Sequence, residues 1–95
     1  MEHAFNTFLN AKSIGKHFRC FHNVIIGAKG GKVPIIGDNV FVSCGASVLG
    51  DIIVGNHVII GAGCVVTKNL PDNCTVIGNP ARIVKLNGER VDIKL

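Results

Sequence analysis

The stretch that decides the fold is Ile36-Gly37-Asp38-Asn39-Val40-Phe41-Val42-Ser43-Cys44-Gly45-Ala46-Ser47-Val48-Leu49-Gly50-Asp51-Ile52-Ile53-Val54-Gly55-Asn56-His57-Val58-Ile59-Ile60-Gly61-Ala62-Gly63-Cys64-Val65-Val66. An aliphatic residue returns at every sixth place: Ile36, Val42, Val48, Val54, Ile60 and Val66. The same step appears earlier as Ile14, Cys20 and Ile26, separated from Ile36 by a gap of ten that is six plus four. Glycine often follows the leading residue, at positions 15, 27, 37, 55 and 61. Four places after each lead comes another apolar or small residue, as at Phe18, Val24, Val40, Ala46, Ile52, Val58 and Cys64. Between them gather polar pairs such as Lys16-His17, Asp38-Asn39 and Asn56-His57.

A period of six matches neither the 3.6 of a helix nor the 2.0 of a plain strand. It matches a short strand followed by a corner, repeated. Three such units close one triangular turn, with the leading and fourth-following side chains inward and glycine placed to ease the corner at positive φ. Stacked turns pair each backbone N–H and C=O with the turn above or below. The expected class is therefore all-β, a parallel β-helix. A β-sandwich of short strands is the alternative, but it does not call for so strict a spacing.

Composition agrees. Ninety-five residues make one small domain, and 47% hydrophobic against 17% charged residues excludes a disordered chain. Twelve Gly, five Phe and no Trp or Tyr leave packing to small and β-branched side chains. No basic leader precedes an apolar run and no stretch is long enough to span a membrane, so the expectation is a cytoplasmic protein with no membrane partner. Cys20, Cys44, Cys64 and Cys74 form no CxxC or zinc spacing; they are read as reduced thiols, with no metal. The net charge of +4 is scattered along the chain, which argues against a nucleic-acid partner yet suits a small polyanion.

The surplus residues after Ile26 fall in Gly27-Ala28-Lys29-Gly30-Gly31-Lys32, a glycine-rich, dibasic segment expected to protrude as a loop over 27–35. After Val66 the rhythm is expected to end at the turn-like Leu70-Pro71-Asp72-Asn73. Asn87-Gly88, between apolar-rich flanks, signals a hairpin that covers the last open coil. The resulting layout is one domain over 1–95: an irregular first coil over 1–13, hexapeptide coils over 14–69, and a C-terminal cap over 70–95.

Three segments together, Val33 to Val40, Ile60 to Lys68 and Gly78-Asn79-Pro80-Ala81-Arg82-Ile83-Val84, resemble the hexapeptide-repeat acetyltransferases, serine acetyltransferases first and sugar O-acetyltransferases next. The resemblance implies a left-handed parallel β-helix, a homotrimer, and acetyl transfer from acetyl-CoA to a hydroxyl of serine or a sugar. It also implies a coenzyme site on Cys44, Ala62, Thr67, Lys68, Arg82 and Lys85. Cys44 and Ala62 lie one full turn apart, each second after an inward aliphatic, so they fall in one surface column where small side chains leave a trough. Lys68, Arg82 and Lys85 suit phosphates.

Attack of a hydroxyl on a thioester needs a base, which imidazole provides near neutral pH. His17 and His57 fall in polar corners and read as exposed. His22 tops the column of Cys44 and Ala62 and is a possible ligand contact. His3, in His3-Ala4-Phe5-Asn6-Thr7-Phe8-Leu9-Asn10, matches the family's base-bearing segment, one residue short of the usual distance to Ile14. Two departures stand against activity: the family's second active-site histidine is here Val33, and in place of the family's upstream acidic partner His3 has only Met1 and Glu2 before it, Glu2 being a poor substitute because neighbours in a strand point to opposite faces. The chain thus reads as the C-terminal part of a longer enzyme or a minimal version of one. The competing expectation is a catalytically incomplete β-helical trimer that binds CoA or a partner without turnover.

Overall fold

The computed structural model describes residues 8–79 and 81–95, and His3 lies outside them. Thirteen short strands follow in order: β1 (Phe8–Leu9), β2 (Ser13–Ile14), β3 (Arg19–Cys20), β4 (Ile25–Gly27), β5 (Ile35–Ile36), β6 (Phe41–Val42), β7 (Ser47–Leu49), β8 (Ile53–Val54), β9 (Ile59–Ile60), β10 (Val65–Val66), β11 (Cys74–Ile77), β12 (Arg82–Leu86) and β13 (Glu89–Lys94). They stack into three sheets, the faces of a triangular prism: β1-β4-β7-β10, β2-β5-β8, and β3-β6-β9-β11 extended by β12 and β13. All pairings within the prism are parallel.

Register reproduces the spacing of the sequence. Ile36 pairs with Val54, Val42 with Ile60 and Val48 with Val66, each three hexapeptide units on. One coil below, the step is longer by four: Ile14 pairs with Ile36, Cys20 with Val42 and Ile26 with Val48. The four extra residues leave the prism as an exposed loop closed by a bridge between Lys29 and Lys32. The lowest step, Leu9 to Ile26, is one short of three units, which places the missing residue between Leu9 and Ile14.

The inward columns hold. Ile36, Val42, Val48, Val54, Ile60 and Val66 are buried, as are Phe18, Val24, Val40, Ala46, Ile52, Val58 and Cys64. Among the described residues Phe18 is the one aromatic ring in this core; the rest is aliphatic or thiol, each fully buried Val or Ile being worth ~1.5–3 kcal/mol. No buried polar side chain interrupts the stack among the described residues.

Two expectations change. The rhythm does not stop at Val66: Leu70 bridges to Val54 and Val76 pairs with Ile60, both buried, so two sides of a fourth coil are laid down. A step of four in place of six, from Val66 to Leu70, shortens that coil by two places. Pro71 follows the bridge and therefore costs no ladder bond at Leu70, whose N–H donates to the Ile53 carbonyl at 3.0 Å.

The glycines after the leads are also not the positive-φ residues. Left-handed backbone falls two places later, on His17, Asn39, His57 and Asn73. Gly15, Gly37 and Gly55 serve close approach instead. The corner residue of the coil above reaches down over them: Lys16 N–H donates to Asp38 Oδ1 at 2.8 Å, Asp38 N–H to Asn56 Oδ1 at 2.8 Å, and Asn56 N–H to Asp72 Oδ1 at 2.7 Å. A Cβ on Gly37 would lie 2.7 Å from the Gly55 carbonyl oxygen.

The last coil is covered as expected. β12 runs antiparallel to β11, turns through Asn87 (φ 53°) and Gly88 (φ 81°), and returns as β13. Two positive φ values in succession make the tight turn that matches strand twist. Ala81 and Ile83 are buried, and Leu86, Val91 and Leu95 pack against the core.

Candidate functional site

The column inferred from the spacing exists. Val42 and Ile60 pair directly, the Gly63 N–H donates to the Cys44 carbonyl at 3.0 Å, and the Gly45 N–H to the His22 carbonyl at 3.2 Å. His22, Cys44 and Ala62 therefore rise along one corner, and Gly78, second after Val76, continues it. Cys44 is half-buried; His22, Ala62 and Gly78 are exposed. At ~4.8 Å per strand the column is about 15 Å tall.

Beside this corner lies the outer face of the first sheet, where Ile25, Ser47 and Val65 stand in register. Its far corner carries Thr67 and Lys68, both exposed. These two line a recess of about 180 Å³ with Val65, Asn79, Ala81 and Leu95. A second recess, of about 390 Å³, contains Gly78 and Arg82 and shares Asn79, Ala81 and Leu95 with the first. The top of the small-residue column thus opens between Lys68 on one side and Arg82 on the other.

Of the residues expected to hold the coenzyme, Thr67, Lys68 and Arg82 are brought around one junction, with Cys44 and Ala62 leading up to it. Lys85 is not. It lies exposed on β12 opposite Arg90 and lines neither recess. Asn79, Lys94 and Leu95 also line the recesses, and spacing alone gives no signal for them. Arg82 is held by Asp92 at 3.8 Å, an exposed pair of small energetic weight.

His17 and His57 are exposed corner residues with φ of 58° and 57°. Val33 is half-buried at the base of the loop, whose Lys32 faces Asp51 at 3.8 Å. The four cysteines form no disulfide with one another. Burial raises the Cys20 and Cys64 thiols, and burial together with the nearby Asp72 charge pushes Cys74 up to about 11, so none of these three is a ready nucleophile. Among the described residues no group of three or more metal-ligating side chains occurs, and no helix is long and apolar enough to cross a membrane.

The family model of bacterial transferase hexapeptide repeats (six repeats) matches residues 34–68, which span the regular coils. Residues 34–68 are hexapeptide repeats of this family type. The chain's hexapeptide coils are similar to serine acetyltransferase from Synechococcus elongatus, 40% identical over 83 residues, covering 83% of this chain and 34% of that protein. Among solved structures, a serine acetyltransferase in complex with CoA superposes with a TM-score of 0.76 at 32% identity, covering 83% of this chain and 34% of the other. The Neisseria gonorrhoeae serine acetyltransferase in complex with serine gives 0.69 at 32% identity, covering 84% and 38%. The hexapeptide prism is accordingly a left-handed parallel β-helix. The chain spans about a third of the length of the relative from Synechococcus.

Proposed function

We propose that the protein takes part in acetyl transfer from acetyl-CoA to the hydroxyl of serine, with the coenzyme lying along the Cys44–Ala62 column. The observation that carries this is the meeting of the column with Thr67, Lys68 and Arg82, in a fold shared with a CoA-bound serine acetyltransferase. Small side chains leave exposed backbone for the pantetheine amides, while ammonium and guanidinium groups face the phosphates. His3 is the proposed general base. It takes the serine hydroxyl proton as oxygen attacks the thioester carbonyl, backbone N–H groups stabilise the oxyanion, and collapse of that intermediate breaks the C–S bond and releases CoA, whose thiolate takes the proton from the imidazolium.

Thiol release from acetyl-CoA in the presence of serine tests this, with a panel of simple sugars beside it. Serine-dependent release is expected, and His3→Ala should lower kcat by about a hundredfold or more. Release that ignores both serine and the histidine sinks the catalytic proposal. Val33, standing where the family has its second active-site histidine, favours a second reading in which CoA binds without turnover. Calorimetry showing CoA binding without transfer would select it.

A further inference from the structure

We infer that Lys94, on the C-terminal hairpin, is the residue by which this chain selects a coenzyme bearing a terminal phosphate. The inference rests on the coenzyme reading above. Arg82 and Lys94 stand directly opposite each other on β12 and β13, and both line the recess of about 390 Å³ together with Gly78 and Asn79. Like charges at directly opposed positions repel, an arrangement that an anion between them converts into attraction. Asp92, 3.8 Å from Arg82, offsets part of that repulsion in the free protein, but both members of the pair are well exposed and it yields readily to a dianion.

The position along the groove identifies which phosphate. The column climbs from His22 through Cys44 and Ala62 to Gly78. His3 precedes β1 in the sequence, and β1 lies at the end of the prism opposite the hairpin. A coenzyme with its thioester toward that end therefore carries its nucleotide to the hairpin. Lys68, in the adjoining recess, is placed for the bridging diphosphate. The farther Arg82–Lys94 recess is left for the 3′-phosphate, a phosphomonoester that accepts from both cations at once. Lys94 is thereby a specificity residue: it separates CoA from 3′-dephospho-CoA.

The test is calorimetric titration of the full chain with CoA and with 3′-dephospho-CoA, on the unaltered protein, Lys94→Gln and Asp92→Asn. The unaltered protein should bind CoA about a hundredfold tighter than 3′-dephospho-CoA, the scale of two charge-assisted contacts. Lys94→Gln should cut that preference to about tenfold, the share that Arg82 supplies, and leave dephospho-CoA binding unchanged; Asp92→Asn should widen it. Thermal unfolding of Lys94→Gln without ligand should match or exceed the parent, since a repulsion has been removed. A preference that Lys94→Gln leaves undiminished overturns this inference while the coenzyme reading stands. Failure to bind either coenzyme overturns both.

Discussion

At Gly37 the chain uses glycine for room, and at Asn39 it uses asparagine for backbone angle. A methyl group on Gly37 would meet the carbonyl of Gly55 in the next coil, whereas Asn39 holds φ at 57° with its side chain at the surface. Gly37→Ala should thus cost about 2–3 kcal/mol by overpacking, and Asn39→Ala about 1 kcal/mol by left-handed strain, as read from urea unfolding midpoints. Equal costs would refute the division of labour. The period of six exposes the glycine in the sequence, but not its reason: the contact is with a residue one full turn away, and only the stacked coils reveal it. Cys74 gives a second residue-scale outcome. Its thiol ionises near 9 when unfolded and near 11 when buried, so across that window the unfolded state binds fewer protons and stability falls as pH rises. Cys74→Val should flatten the decline between pH 9 and 11 in denaturant titrations, and an unchanged slope would count against it.

Among elements, the strands are legible because each needs only a lead and a fourth-following apolar residue to declare its inward side. The fourth coil is not, since its step of four between Val66 and Leu70 breaks the rhythm that identifies the others. The hairpin shows the same limit more sharply. A two-residue turn at Asn87-Gly88 without irregularity pairs Leu86 with Glu89 and Lys85 with Arg90, and carried on it would set Arg82 against Ile93. A register shift between Ile83 and Lys85 moves the pairing by one, so that Arg82 faces Lys94 and Ile83 faces Ile93. One irregularity in the ladder therefore decides whether a second cation enters the recess, which is why Lys94 escapes a reading by spacing. Lys85 departs from expectation for a related reason, because its distance from Arg82 along the strand puts it beyond the recess.

For the whole molecule, the sheet of β3, β6 and β9 presents a face that a monomer leaves wet. Phe21 is 53% exposed and Ile59 49%; Phe21 and Phe41 meet edge to face at 5.3 Å, and Arg19 lies over the Phe41 ring at 5.5 Å. We propose that this face is covered in a homotrimer, as its apolar side chains and the family likeness together suggest. Equilibrium sedimentation should give three times the chain mass, with Phe21→Ser shifting the population toward monomer; a monomeric parent protein would remove the proposal.

The corner ladder of Lys16, Asp38, Asn56 and Asp72 points one way. Each main-chain donor is satisfied by a side chain from the turn that comes later in the polypeptide, never by one that came before. Each coil's corner donor is thus completed only by the coil that follows it, so removing a later coil leaves the donor of the coil before it without its side-chain acceptor.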